Sequence, residues 1–550
     1  MLHAFTLVVE AAVLYCVWLF IRGYVIPSTL RNIPGPKRAS LLTGNLSIMF
    51  SPQGIPWHLS MSRVFGKAFK INGWFGDEQL YVTDPLALHH IVIKDQHIYE
   101  ETSMFIHGNR MSFGHGLLGA LGDTHRKQRK ILNPVFSNAQ MRNLAPIFYS
   151  LSQQLCDRLE RTIDTLEFTE VNMRPWLSKI SLEIIGEAGF GYSFGSFGGA
   201  DRGNNYRAHV KDYGRVIASL ALPRFFLPFF TAIGSPGFLR MLLNLTPSRR
   251  LHKLRDIVDA MDKTCVGIYE DRKKEVGDGE DRQDIISVLL RANQAAEAKD
   301  RLSDEELRGQ INTLVFAGSD TTLSALSRVL HLLALHPDVQ SKLRAEVVQA
   351  RRDNAGDDLD YDVIAGLPYL DAITRETLRL HSPVTFLSRT TRADISLPLS
   401  KPILSTSGHP ISAVPLKNNT NVIIGIAAAN RDKDMWGEDA DEWKPERWLN
   451  EDGSVRVTAT KDADGERFPG VYSGMMTFLG GSRACIGFKF SQLEFKVVVS
   501  MLLERFEFQL PVGKEIGWRN SVVTAPILKG EFDGAAQLPL MVRFIKRDGI

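Results

Sequence analysis

The chain has 550 residues, beyond the roughly 250–300 at which a single hydrophobic core stops growing. With 44% hydrophobic and 23% charged residues it has the composition of an ordered globular protein, and its formal net charge of +3 gives no support to a nucleic-acid partner. The four cysteines, Cys16, Cys156, Cys265 and Cys485, are scattered without a CxxC pair, which excludes a disulfide framework and a structural zinc site and points to a reducing compartment.

The first predicted element is apolar. Residues 4–21, "AFTLVVEAAVLYCVWLFI", carry only Glu10 as a charge, and Arg22, Arg31, Lys37 and Arg38 follow them. About 20 helical residues at ~1.5 Å each cross a ~30 Å hydrocarbon layer, and the positive flank predicts a cytoplasmic body. Residues 1–22 are therefore expected to be a transmembrane signal-anchor, since a cleaved signal peptide would carry its charge before the apolar run. Residues 23–40 contain "NIPGPKR", a Pro-Gly-Pro stretch that cannot continue a helix and reads as a stiff hinge.

From residue 41 onward the body reads as one large unit. Residues 68–85, "AFKINGWFGDEQLYVTDP", alternate like strands around turn residues and predict a small sheet; residues 390–426 and "MVRFIK" near the C-terminus predict further strands. Helical periods dominate elsewhere, as in "MRNLAPIFYSLSQQLCDRLERTI" and "IVDAMDKTCVGIYEDRKKEV". The polar residues 273–282 read as a mobile surface loop. The fold class is mainly α with small β-sheets (α+β).

A very long helix is expected from the capping box at Ser303 and Glu306 to His336, where Pro337 stops it. Within it lies "AGSDTT", residues 317–322. Ala317 and Thr321 share a face, so a small side chain leaves room for a flat ligand or a diatomic gas while a hydroxyl reaches it. Asp320 stands beside Thr321, and Gly318 reduces the bulk nearby. The same letters also fit an ordinary helix bent by threonine back-bonding. Further on, "ETLR" places Glu376 and Arg379 one turn apart and "PERW" offers Arg447; taken singly, each reads as a solvated ion pair.

Residues 478–487, "FLGGSRACIG", then set Cys485 among glycines ahead of a helical run. A thiolate is a soft ligand for iron, a helix N-terminus stabilises its charge, and glycines allow a backbone to approach a planar cofactor. This segment resembles the haem-binding loop of the cytochrome P-450 family, F-x-x-G-x-R-x-C-x-G, with every specified position matched. The other motifs follow in that family's order: "IPGPKR" is similar to its proline-rich hinge, "AGSDTT" to its oxygen-activation motif, "ETLR" to its E-x-x-R helix, and "PERW" to the segment that completes its structural triad.

The resemblance implies the fold of that family behind an N-terminal transmembrane anchor helix, with residues 41–550 as the catalytic domain and haem b as cofactor. It makes Cys485 the axial ligand, Phe478 the aromatic shield beside it and Arg483 a propionate partner, with Gly481 and Gly487 keeping the loop close to the ring. "HRKQR" matches a propionate-contacting helix through Arg129, with His125 in the usual tryptophan position as in many fungal members, and Arg389 matches the remaining propionate arginine. Glu376, Arg379 and Arg447 become the structural triad; Trp448 replaces the more usual phenylalanine, a change expected to matter little. Asp320 and Thr321 would organise the proton delivery needed once thiolate donation favours O–O cleavage. Phe113, Phe316, Ala317, Val384 and Phe386 would line a substrate pocket, although apolar side chains serve core packing equally well.

The implied function is a monooxygenase that inserts one oxygen atom from O2 into a lipophilic small molecule, such as a terpenoid or other secondary metabolite. The implied location is the endoplasmic reticulum membrane, single-pass, with a cytoplasmic catalytic domain. No flavin domain is recognisable, so electrons are expected from a separate NADPH-cytochrome reductase. A haem-thiolate isomerase or dehydratase, or a non-catalytic haem sensor, would share Cys485 but could dispense with Asp320 and Thr321. A hydrolase is the rival of another class, because "GYSFG" at residues 191–195 fits G-x-S-x-G. The preceding "LSKISLEIIGEAGF" is helical in period, however, and leaves that pattern no strand to start from.

Overall fold

The computed structural model describes residues 2–163, 167–197, 204–456 and 465–545. Helix α1 (Leu2–Val25) is continuous and ends at Arg22 and its neighbours. The side chains of residues 2–9, 11 and 12 lie outside the described set, so the expected anchor at residues 1–22 falls partly there. Among the described residues no single helix is long and apolar enough to cross a membrane, and the described apolar stretch is Val13–Val25. The C-terminal part of α1 rests on the body: Tyr15 stacks on Phe229 at 5.3 Å, and the Tyr24 hydroxyl donates to the Leu41 carbonyl at 2.5 Å.

The "AFKIN" and "EQLYV" segments form the expected hairpin, β1 (Ala68–Asn72) against β2 (Glu78–Val82). With β3 (Tyr99–Glu100), β4 (Leu387–Thr391) and β5 (Asn421–Ile424) they build a five-stranded sheet of order β1-β2-β5-β4-β3, in which only the β2–β5 pair is parallel. The β3–β4 register sets Glu100 opposite Thr390 and so brings the next residue, Glu101, to Arg389. A hairpin of Ile395–Leu404 and Pro410–Leu416 completes the second strand-rich region. Near the C-terminus, Pro539–Phe544 pairs between Thr169–Asn172 and Phe506–Gln509.

Helices supply the rest. Those that position the site are α2 (Ser103–Phe113), α3 (Gly122–Leu132), α4 (Asn138–Glu160), α5 (Met173–Phe190), α6 (Asn204–Ala218), α7 (Ala221–Phe225), α8 (Leu227–Ile233), α9 (Arg249–Gly277), α10 (Asp304–Leu335), α11 (Pro368–Leu380) and α12 (Phe488–Arg505). The long helix α10 begins at the predicted capping box, with the Ser303 hydroxyl accepting from the Glu306 N–H and the Glu306 carboxylate accepting from the Ser303 N–H. It runs through the centre of the body and packs against α5, α9, α11 and α12, so most of its surface is buried.

Two sequence expectations change. Residues 273–277 are the last turn of α9, not loop, because the apolar stripe of Ile257, Met261, Cys265, Ile268 and Val276 keeps that helix on the core. In "GYSFG", Gly191 is the left-handed cap that ends α5, at φ 59°, and the Ser193 hydroxyl donates to Glu183 at 2.9 Å. A serine just after a helix end, hydrogen-bonded to a carboxylate, is not a nucleophile elbow.

Candidate functional site

Two short turns, Met476–Phe478 and Gly481–Arg483, hold the cysteine loop ahead of α12. Backbone contacts pin it from several sides. The Cys485 N–H donates to the Phe478 carbonyl at 2.9 Å, and Arg129 on α3 donates to the Ala484 carbonyl at 2.7 Å. Gly481 sits at φ 68°, and a Cβ there would lie 1.7 Å from the Val92 carbonyl oxygen, so only glycine fits. Gly487 differs: its backbone is ordinary and a Cβ would meet only Phe136 at 3.9 Å. Leu479, a non-glycine residue at φ 54°, takes the strain of the turn. Phe478 is held between Tyr472 and Phe488, at 5.8 and 6.1 Å between ring centroids.

The cysteines separate into distinct environments. Cys156 and Cys265 are closed into the core, and burial pushes both thiols up to about 12. Cys485 is surrounded by protein yet keeps an exposed surface, so its thiol faces an interior space. Burial pushes this thiol up too, but the Gly487 N–H and the Arg129 guanidinium pull it back. Opposed donors of this kind suit a sulfur that becomes a metal-bound thiolate.

Arg129 belongs to a cradle of cations. His125, on the same helix, is 5% exposed, and its pKa is driven down to about 3 by burial and then by Arg483, Arg129 and Arg389. The imidazole is therefore neutral, and three guanidiniums converge on it. They are only partly neutralised: Arg389 pairs with Glu101 at 2.9 Å, and Arg483 pairs with Glu100 at 3.1 Å while also donating to the Ala120 carbonyl. A cleft of about 800 Å³, lined by Lys94, His125, Arg129 and Arg483 among others, opens on this side. Three arginines sharing two carboxylates around a thiol that faces a void fit the two propionates and the iron of a haem.

On the other side, α10 is buried along most of its length but half-open at Phe316, Ala317, Gly318, Asp320 and Thr321. The Thr321 hydroxyl donates to the Ala317 carbonyl at 2.7 Å, as Ser319 and Ser327 do to Val315 and Leu323, so the back-bonded helix foreseen as the plainer reading is present. The threonine oxygen keeps its capacity to accept. Burial raises the pKa of Asp320, opposed by Arg174, which places the carboxyl nearer to proton exchange at neutral pH. Gly318 does not clear space for a ligand: a Cβ there would lie 3.2 Å from Ile185, so its smallness serves the close approach of α5.

The ETLR pair is fully closed. Arg379 donates from Nε and Nη2 to the two Glu376 oxygens at 2.8 and 2.7 Å, and its Nη1 reaches the Asn430 and Ala440 carbonyls. Arg447 meets Glu376 at 3.4 Å, Asp439 at 2.7 Å and the Trp436 carbonyl at 2.6 Å. The expectation that Trp448 matters little is corrected: its indole N–H donates to Glu376 at 2.9 Å, which a phenylalanine cannot do.

The expected pocket residues divide. Phe113 stacks on Phe316 at 4.5 Å, and Tyr213 of α6, missed in the sequence, closes this aromatic wall at 5.3 and 5.5 Å from them. Ala317 is next to the wall and Val384 packs on the main core. Phe386 is a correction: it stacks on His58 at 4.7 Å and meets Phe50 edge-on at 5.1 Å in a satellite core under the five-stranded sheet, whereas Val384, in the same loop ahead of β4, packs on the main core. Glu100 and Glu101 were also missed, since two adjacent glutamates carry no mark of their partners until β3 pairs with β4.

The family model described as Cytochrome P450 matches residues 34–526 of the chain. Cytochrome P450 monooxygenase 91 of Postia placenta is 44% identical over 529 residues, covering 95% of both chains. Cytochrome P450 monooxygenase 81 of the same fungus is 40% identical over 96% of this chain and 95% of its own. A ganoderic acid synthetase of Ganoderma lucidum, CYP5150L8, is 39% identical over 95% of both chains.

Proposed function

The chain belongs to the cytochrome P450 family, whose oxidoreductases work with haem b, and on that premise we propose that it inserts one oxygen atom from O2 into a lipophilic secondary metabolite. Terpenoids are the first class to try. The observation that carries this reading is the contrast among the cysteines: Cys485 alone of those on the described body keeps an exposed surface, and it is flanked by the Arg129 guanidinium. The aromatic wall of Phe113, Phe316 and Tyr213 and the relative named ganoderic acid synthetase support a lipophilic substrate.

Cys485 would hold the haem iron through its sulfur in this reading. Arg129, Arg389, Arg483 and His125 would hold the propionates and Phe478 would flank the sulfur, while Gly481 fixes the turn and Gly487 leaves the helix start clear. When bound, the haem supplies the activation of dioxygen, which a thiolate ligand promotes. Asp320, its carboxyl raised by burial, releases and takes up protons beside Thr321, whose oxygen accepts one hydrogen bond while its own proton is held on Ala317. The apolar wall excludes water and orients the substrate. Glu376, Arg379 and Arg447 lock α11 to the cysteine-loop side and touch no substrate. A separate NADPH-cytochrome reductase supplies the electrons, and residues 1–22, with the hinge at 23–40, hold the body on the cytoplasmic side of the endoplasmic reticulum membrane. This rests on the continuity of α1 and the basic residues after it.

Microsomes containing the protein and a reductase, given a panel of lipophilic metabolites under labelled O2, should yield a product heavier by one labelled oxygen atom. Cys485→Ser should abolish both that product and the red-shifted Soret band of the reduced carbon monoxide complex. Survival of the band in this variant, or its loss on replacing Cys156 or Cys265 instead, overturns the assignment.

A further inference from the structure

Above the aromatic wall the body is roofed by α2, α7 and α8, which pack on one another. Their sequences contain no aspartate or glutamate. They do contain cations. Arg110 of α2 is satisfied in part by the Gly119 carbonyl, to which its Nε donates at 2.7 Å. Arg224 of α7 is not: its Nε is enclosed without a hydrogen-bond partner, and among the described residues no carboxylate meets its guanidinium. The nearest glutamates before α2, Glu100 and Glu101, are engaged by Arg483 and Arg389.

The direction of this side chain is informative. A Cβ built on Gly108 of α2 lies 3.8 Å from Arg224 Nη2, so the guanidinium lies over α2, between the roof helices. Tyr213 is within electrostatic reach: burial lowers the Arg224 pKa while Tyr213 opposes this. The Tyr213 ring in turn packs on Phe316, the residue before Ala317. A row of groups thus leads from a partly buried cation whose Nε is enclosed, through a phenol and two phenylalanines, to the half-open turn of α10. An arginine cannot shed its charge, and withdrawing part of its guanidinium from water without an anion is costly unless a ligand brings one.

We propose that Arg224 is an anchor for the carboxylate of the substrate, and that the molecule oxidised is a lipophilic carboxylic acid whose apolar body lies against the half-open Phe316, which the closed Phe113 and Tyr213 back, with its far end at Ala317 and Thr321. This rests on the monooxygenase reading above and narrows its substrate class. A carboxylate suits the site better than a bulkier phosphate headgroup, because the planar fork of the guanidinium takes it in two parallel hydrogen bonds and the neighbouring side chains are aromatic.

The test is equilibrium dialysis of the detergent-solubilised holoenzyme against two matched pairs, palmitic acid with methyl palmitate and oleanolic acid with its methyl ester. At least one acid should bind about tenfold or more tightly than its ester, the effect of one charge-assisted hydrogen-bonding pair. Arg224→Gln should erase that preference and leave ester binding unchanged, whereas Arg224→Lys should keep much of it; the carbon monoxide band confirms that each variant is loaded. Equal binding of acids and esters by the natural protein overturns the proposal, as does a preference that persists in Arg224→Gln. So does loss in that variant only of binding to phosphatidylglycerol vesicles, which would assign the guanidinium to lipid phosphate. Arg224-dependent binding of acids that are never oxidised would instead leave the anion site standing and sink the monooxygenase reading of its ligand. Oxidation of neutral lipids without acid preference would do the reverse.

Discussion

Two buried groups of cations in this molecule are built in opposite ways. Around Glu376 the carboxylate receives Arg379, Arg447, Trp448 and the Lys444 N–H, and both guanidiniums also reach backbone carbonyls, with Glu376 and Arg379 wholly shielded from solvent. Around His125 three guanidiniums share two glutamates, and Arg129 has a carbonyl as its hydrogen-bond acceptor. The first group is complete within the protein and holds elements together. The second is short of negative charge, which leaves it open to an anionic ligand. What separates a structural cluster from a binding cluster here is how many acceptors the fold leaves over, since both contain the same residue types.

The largest expected effect breaks the closed group. Glu376→Ala leaves two buried guanidiniums without their carboxylate and should cost about 3–5 kcal/mol of folding stability, read by urea unfolding of the haem-free protein. Arg129→Met, in the open group, should cost only about 1 kcal/mol in the same measurement, since one hydrogen bond to a carbonyl is lost. It should instead speed transfer of haem to apomyoglobin by about tenfold. If Arg129→Met unfolds the haem-free protein as severely as Glu376→Ala, the distinction fails.

A smaller effect sharpens the closed side. Trp448→Phe restores the residue more usual in the family but removes the indole donor to Glu376, and should cost about 1.5 kcal/mol, the lower end for a hydrogen bond to a charged group. No change in the urea midpoint would mean that Arg379 and Arg447 already saturate the carboxylate.

A further effect concerns pH and the open side. The folded-state pKa of His125 is about 3 against an ordinary 6.5, so as pH falls below about 6.5 the unfolded chain binds this proton first and stability declines until pH nears 3. The slope is at most about 1.4 kcal/mol per pH unit for one group. His58, at about 4, and His331, at about 3, add to the acid limb, so the measure is the difference between the natural protein and His125→Gln, which should unfold less steeply between pH 6 and 4. Bound propionates offset the charge of the three arginines, so the difference should shrink in the loaded enzyme. A difference that is the same with and without haem would break the link between His125 and the cradle.

Much of the architecture was legible because it rests on local rules. The capping box of α10, its stop before Pro337, the hairpin of β1 and β2 and the cysteine loop with its obligatory Gly481 depend on residues near one another in the chain, so their letters suffice. The boundary of α9 was misread because polar residues on the outer face of a helix look like loop when its apolar stripe is thin. Gly318 and Thr321 were read toward a ligand, whereas their immediate partners are Ile185 and the Ala317 carbonyl.

By itself, then, the sequence determined the family, the fold class, the cysteine that faces the interior space and the order of the motifs, because each is a short pattern with a steric or electrostatic reason of its own. Only the tertiary structure decided which side chains share a charge: that Trp448 closes the Glu376 group, that Glu100 and Glu101 reach the cradle through the β3–β4 pairing, that Phe386 leaves the pocket for a satellite core, and that Arg224 meets no carboxylate among the described residues. Those partners come from segments up to hundreds of residues apart, as Arg389 and Glu101 are at a separation of 288. A buried charge is stabilised or stranded by whatever the packing brings within a few ångströms, and no local pattern encodes that neighbourhood.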